Sequence, residues 1–340
     1  MGSQLNNMHP RRVGVAFIGA GIVAEMHGRG VAANSRAELI GAYDPDQSRS
    51  AALTKKFGGR IFASFEDLLA DSRVDAVHVL NPSQFHVETA LKSLTAGKHV
   101  LVEKPVAETE AGLMTLRDAA RTAKRVCMPA HNYIYVPSLR RARRIIQTGQ
   151  LGDIASAWII YNIFHPEEIA AIYGGVLRGV CVHHAYSLIY LLGRPQRVTA
   201  MTSRVHYGQL ECEDQAMIVC EMPGGAIVNL WCSFAANDPT SDPWTVVYKI
   251  LGTKGGLNYS WNEVQYEDHG GPGWGLPCYE EGFIGEIEHF ISRCILGGEQ
   301  PLSTLQDAAD ALCILEAAER SASRPQTFET VPYERSATRV

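Results

Sequence analysis

An apolar run at residues 13–18, Val-Gly-Val-Ala-Phe-Ile, leads into Gly19-Ala20-Gly21-Ile22-Val23-Ala24, and Asp44 closes a second run at 38–43. A buried strand, a glycine turn, a helix, then a strand ending in an acid leave few alternative folds. Gly19 permits the tight turn, Gly21 lets backbone approach a phosphate, and Ala24 is the small residue where helix meets strand. The helix predicted over 23–33 would aim its free N–H groups and positive dipole end at that phosphate. The Asp44 carboxylate can accept hydrogen bonds from a ribose 2′-hydroxyl. The order predicts a dinucleotide site with Gly19, Gly21, Ile22, Val23 and Asp44 as contacts. NAD is expected rather than NADP, because a 2′-phosphate beside Asp44 would meet like-charge repulsion. Arg49, five residues on, is read as solvent-facing on the next helix.

At 340 residues the chain exceeds one core of usual size, which predicts two domains. A net charge of −5 argues against a general nucleic-acid binder. The basic cluster Arg140, Arg141, Arg143 and Arg144 spans about one helical turn and reads as a solvated helix face. The eight cysteines contain no C-x-x-C pair and no zinc-like spacing, so reduced core thiols in a cytoplasmic protein are expected, with no metal. No stretch is long and apolar enough to span a membrane. Arg11-Arg12 before an apolar run resembles a twin-arginine signal, but that run is the first strand of the phosphate turn.

Strand and helix alternate to about residue 130. A strand at 75–80 ends at Asn81-Pro82, a helix covers 85–96, and a strand at 99–102 leads into Glu103-Lys104-Pro105. A helix over 108–123 and a short strand at 126–128 follow. In an open parallel sheet ligands bind outside the carboxyl ends of the strands, so Gly19, Asn81-Pro82 and Glu103-Lys104-Pro105 should share one rim. Beyond about 150 the pattern changes to strands at 154–164, 197–205, 216–222, 226–234 and 245–251 with hairpin-like turns. Helices at 182–192, 283–296 and 304–322 would cover one face of that sheet. The reading is an α/β chain: a doubly wound parallel Rossmann sheet at 11–132, then an α+β domain at 133–340 with a large, mostly antiparallel open sheet. Residues 270–277 form a Gly/Pro/Trp loop, a candidate lid.

The Gly19 turn, Asn81-Pro82 with His86, Glu103-Lys104-Pro105, and Gly174-Gly175-Val176-Leu177 followed by His183 resemble the Gfo/Idh/MocA oxidoreductases. The resemblance covers nearly the whole chain, and the Glu-Lys-Pro triplet is its most specific part. It implies a nicotinamide-dependent enzyme that oxidises a sugar, cyclitol or related hydroxyl, or reduces the ketone. It adds Asn81, Pro82, His86, Glu103 and Lys104 to the cofactor contacts. It makes Lys104 the lysine that reaches the nicotinamide ribose and substrate hydroxyl, and His183 the catalytic histidine. It also implies a homodimer or homotetramer.

Oxidising an alcohol requires removal of its proton as hydride leaves. A histidine with a pKa near working pH can take that proton, and a nearby ammonium stabilises the charge developing on oxygen. Many members carry an aspartate four residues before the histidine, where this chain has Gly179. The missing carboxylate leaves room for a larger substrate, or its function falls to His184, Tyr186 or a carboxylate from His165-Pro166-Glu167-Glu168. Asn132 and Tyr133, with His131 at the crossover between the domains, join Lys104, His165, Gly179, His183 and His184 as candidate substrate contacts. Trp261 and Trp274 could stack on a sugar face. Two other activities stay open: redox-neutral glycoside cleavage with tightly held NAD, and a non-catalytic, ligand-responsive NAD-binding regulator.

Overall fold

The computed structural model describes residues 11–171, 174–236, 245–260, 277–324 and 329–333. Trp261, Trp274 and residues 270–276 of the candidate lid lie outside them. The chain divides into two compact units. The first comprises the residues up to Glu103, Leu116–Ala130 and Phe283–Pro301, and the second comprises Lys104–Thr115, His131–Gly282 and the residues from Leu302 on.

The first unit is built on β1 (Val13–Ile18), β2 (Ala37–Tyr43), β3 (Arg60–Ile61), β4 (Ala76–Val79), β5 (His99–Val102) and β6 (Cys127–Pro129), in the order β3-β2-β1-β4-β5-β6. Every pairing is parallel. All six residues of β1 are buried, as expected of a central strand covered on both faces. Between the strands run α1 (Ile22–Ala33), α2 (Gln47–Phe57), α3 (Phe65–Ala70), α4 (His86–Thr95) and, from Leu116 on, α5 (Glu110–Ala123), whose start up to Thr115 is counted with the second unit and not with the predicted 11–132. Polar caps start α2 and α3: the Asp46 side chain accepts from Ser48 N–H and the Ser64 hydroxyl from Asp67 N–H. The strand order reverses between β1 and β4, and that switch point lies beside the Gly19 turn.

The second unit carries β7 (Ile154–Asn162), β8 (Arg197–Ser203), β9 (Gln215–Glu221), β10 (Ile227–Ser233), β11 (Thr245–Gly252), β12 (Gly256–Ser260) and β13 (Glu329–Thr330). Their order is β12-β11-β7-β10-β9-β8-β13, antiparallel except where β7 runs parallel to β10. Alternate residues such as Ile159, Tyr161, Leu230, Cys232 and Ile218 are buried. The helices of this unit are α6 (Pro137–Gln147), α7 (Glu167–Ala170), α8 (Val182–Leu192) and α10 (Leu305–Ala322), the last started by a Thr304/Asp307 capping box. On the opposite face Ile160, Trp231, Met217 and Met201 form one row across β7, β10, β9 and β8, with Met201 78% exposed.

Three expectations are corrected. The strand predicted at 197–205 stops at Ser203, because the buried Asp214 carboxylate accepts the N–H groups of Val205, His206 and Tyr207 at 2.6–3.1 Å and curls the chain. The helix predicted at 283–296 begins earlier, as α9 (Pro277–Glu288), and continues as a wider π turn, His289–Ile295. From Phe283 on it belongs to the first unit, not to 133–340, since Phe283 sits edge-on to His27 at 5.3 Å and Phe290 edge-on to His78 at 5.8 Å. In the basic cluster, Arg143 is not purely solvated: its guanidinium lies 4.1 Å from the Tyr190 ring centre.

Candidate functional site

In the first unit the glycine turn is shaped by two different demands. Gly19 has φ +94°, and a Cβ there would lie 2.6 Å from Asn81 N and from the Leu80 carbonyl group. Only glycine fits where β4 ends this close. Gly21 has an ordinary φ of −76°, and a Cβ there would meet nothing within 4 Å. It starts α1 without a side-chain cap; Ala24 N–H bonds back to the Gly21 carbonyl at 3.1 Å, which leaves the Ile22 and Val23 N–H groups without a partner among the described residues. Ile22, 70% exposed, flanks the open space over Gly21, with Val23 half-buried beside it. Asp44 accepts from Ala20 N–H at 2.8 Å and from Asp46 N–H at 2.9 Å, tying the end of β2 to the turn. A carboxylate has about four acceptor positions, so capacity for a ribose hydroxyl remains. Across the switch point, His86 Nε2–H donates to the Asn81 carbonyl at 2.7 Å, which braces the Asn81-Pro82 corner.

Glu103 sits differently from the other predicted cofactor contacts. Its carboxylate accepts from His27 Nε2 at 3.1 Å, and His27 Nδ1 lies 3.1 Å from His78 Nδ1. His27 and His78 are fully buried, and burial holds the His78 pKa well below the ordinary imidazole value. Glu286, with both oxygens buried and no partner among the described residues, lies near enough to Glu103 that burial and that charge push its pKa well up. Sequence reasoning missed His27, whose signal is a lone polar residue on the buried face of α1.

In the second unit, Lys104, Gly179 and His183 come together. A π turn at Leu177–Cys181 leads into α8, and Lys104 Nζ donates to the Gly179 carbonyl at 3.1 Å. Such widened turns recur at functional sites, because they turn a backbone carbonyl out of the ladder. His183, 6% exposed, sits four residues on. Burial, then the Lys104 charge and lesser contributions from His184 and His131, hold its pKa well below the ordinary value. Its Nδ1 is 2.6 Å from the Tyr186 hydroxyl, and its ring stacks on Tyr133 at 4.1 Å. The Tyr186 hydroxyl also meets Tyr133 N–H at 3.3 Å and Asn132 Oδ1 at 3.4 Å. His131 stacks on the Tyr186 ring at 4.0 Å and is held at Nδ1 by Ser303 Oγ at 2.6 Å. Asn132 and Tyr133 therefore join the histidine's surroundings.

His165 and His184 do not join them. His165 is packed against Phe234 and within 3.2 Å of the Tyr161 hydroxyl, and burial pushes its pKa to about 4. His184 is fully buried on the sheet side of α8, its Nδ1 3.0 Å from Cys232 Sγ, its pKa pushed by burial to about 3. Glu167 is spent on the N–H groups of Gln209 and Leu210 at 2.6 and 2.7 Å. Arg178, beside Gly179, makes a two-pronged ion pair with Glu319 at 2.5 and 2.6 Å. Among the described residues no group of three or more His, Cys, Asp or Glu side chains could hold a metal ion.

The model of an oxidoreductase family with an NAD-binding Rossmann fold, Gfo/Idh/MocA, matches residues 13–131, and that of its C-terminal domain matches 139–258. The chain belongs to the Gfo/Idh/MocA oxidoreductase family. It is an oxidoreductase whose first unit binds NAD. The 1,5-anhydro-D-fructose reductase of Ensifer adhaerens is 27% identical over 250 residues, 71% of this chain and 74% of that protein. The D-glucoside 3-dehydrogenase of Escherichia coli is 28% identical over 249 residues, 66% of this chain and 70% of that protein. The crystal structure of GenD2 from gentamicin A biosynthesis, in complex with NAD, has a TM-score of 0.84 at 25% identity, covering 98% of this chain and 99% of that one. The open space over Gly21, the uncapped start of α1 and the Asp44 carboxylate fit a dinucleotide's pyrophosphate and ribose. No helix among the described residues is long and apolar enough to cross a membrane.

Proposed function

We propose that this oxidoreductase interconverts a secondary alcohol and its ketone on a sugar, cyclitol or related polyol. The observation that carries the reading is the meeting of the Lys104 ammonium with the turn that leads into His183. Neutral His183 takes the hydroxyl proton in the oxidising direction and returns it in the reducing one. Lys104 stabilises the negative charge that develops on the substrate oxygen. NAD, when bound, supplies the hydride acceptor or donor. The Gly19 turn and the N–H groups of Ile22 and Val23 would hold its pyrophosphate, and Asp44 its ribose.

The carbohydrate substrate rests on the family and on the printed activities of the two relatives, a reductase of an anhydro sugar and a glucoside dehydrogenase. The proposal includes a cytoplasmic homodimer or homotetramer, supported by buried free cysteines and by the apolar row on the outer sheet face.

The test is NADH absorbance when protein and NAD meet a panel of free sugars, cyclitols, sugar acids and glycosides. Net NADH with one class supports the reading and names the substrate. Sugar released from a glycoside without net NADH replaces it with redox-neutral cleavage. NAD binding without turnover of any class, in either direction, overturns it in favour of a binding protein.

A further inference from the structure

We propose that Tyr186, with Asn132 behind it, is the positioning residue that fixes His183 in the Nδ1–H tautomer and leaves Nε2 bare to receive a proton. This rests on His183 as the acid/base group, but the tautomer itself can be read without turnover.

Tyr186 follows His183 by three residues on α8, so the two side chains share a helix face. A phenol oxygen carries one proton and two lone pairs. The Tyr133 amide can only donate, so its 3.3 Å contact takes one lone pair. Asn132 Oδ1 can only accept, so its 3.4 Å contact takes the phenol proton. The second lone pair is left for His183 Nδ1 at 2.6 Å, which must then carry the hydrogen. Any other assignment turns at least one of the three contacts into a meeting of two donors or two acceptors.

The rings are held as well as the protons. Tyr186 lies flat on His131, with ring planes 8° apart, and His183 lies flat on Tyr133, with planes 15° apart. Neither ring can turn without unstacking, so the chain Asn132, Tyr186, His183 stays in register. His183 Nε2 has no hydrogen-bond partner among the described residues. The substrate O–H bond breaks as the Nε2–H bond forms, and the resulting imidazolium keeps its Nδ1–H on a neutral phenol. A neutral partner stabilises that cation less than a carboxylate would, so the proton returns readily in the reducing direction. Two of the other residues the sequence offered for this part are engaged elsewhere: His184 on Cys232, and Glu167 on Gln209 and Leu210.

The experiment is nitrogen-15 NMR of the full chain with labelled histidine, His183 being assigned by its absence in His183→Gln. The expected result is a His183 protonated at Nδ1 and bare at Nε2, shifting toward the Nε2–H form in Tyr186→Phe. The same variant is expected to lose at least about tenfold in kcat with little change in KM, as when a wrong tautomer is presented. A wild-type His183 in the Nε2–H form, or an unchanged tautomer in folded Tyr186→Phe, overturns the proposal. If Tyr186→Phe does not fold, Asn132→Leu removes the phenol's acceptor and frees its proton to turn to Nδ1. The tautomer must then flip with Tyr186 intact, and a failure to flip refutes the chain. An enzyme that shows the expected tautomers yet turns over no substrate defeats the functional reading alone.

Discussion

Gly19 and Gly21 stand two residues apart in one motif, yet the structure demands opposite outcomes when each is replaced by alanine. At Gly19 an L-residue with φ +94° is strained by about 1–2 kcal/mol. Its Cβ would also lie 2.6 Å from Asn81 N and the Leu80 carbonyl, which are backbone and cannot swing away. Overpacking of that kind costs roughly 1–3 kcal/mol more. At about 2–4 °C per kcal/mol, Gly19→Ala lowers Tm by several degrees to well over ten. At Gly21 the backbone is ordinary and the added methyl meets nothing, so only the poorer helix start is lost, about 1 kcal/mol or less. The same methyl occupies the space a pyrophosphate would enter, and NAD affinity is expected to fall at least about tenfold, or 1.4 kcal/mol. Thermal unfolding by circular dichroism and calorimetric NAD titration separate the two effects. A Gly21→Ala protein that binds NAD like wild type, or a Gly19→Ala protein with unchanged Tm, refutes the reasoning.

Asp44→Asn should weaken NAD and narrow its advantage over NADP, because the like charge facing a 2′-phosphate is gone; paired titrations with both cofactors would show an unaltered ratio if Asp44 is not the discriminator. Lys104→Met should lower kcat by about a hundredfold, since an aimed charge is lost, and raise the His183 pKa, since the Lys104 charge helps depress it. His183 accepts a proton only when neutral and its pKa lies well below 6.5, so kcat/KM for alcohol oxidation should hold as pH falls through 6.5 and drop only well below; an acid limb centred near 6.5 contradicts this. Trp231→Lys places a charge in the apolar row across β7, β10, β9 and β8 and should dissociate the oligomer in analytical ultracentrifugation; an unchanged sedimentation coefficient rules that face out.

The dinucleotide turn was legible in the sequence because all its signals are local: an apolar run, glycines where backbone must turn or approach, a helix pattern, and an acid at the next strand end. The change from alternating to consecutive strands near residue 150 was equally local and sufficed for the two-part architecture. What tertiary structure alone decided lies between distant positions. It sent Phe283–Pro301 back to the first unit, since nothing in a helix's own periodicity says which sheet its apolar stripe will meet. It buried Glu103 against His27, 76 residues away, although the sequence made Glu103 a cofactor contact and gave His27 no part. It brought Lys104 to Gly179 across 75 residues, and Tyr186 to Asn132 across 54, thereby choosing one partner for His183 from three the sequence left open. Periodicity reports a residue's neighbours two, three or four places along the chain. The order in which strands are laid beside one another decides which distant side chains share a site.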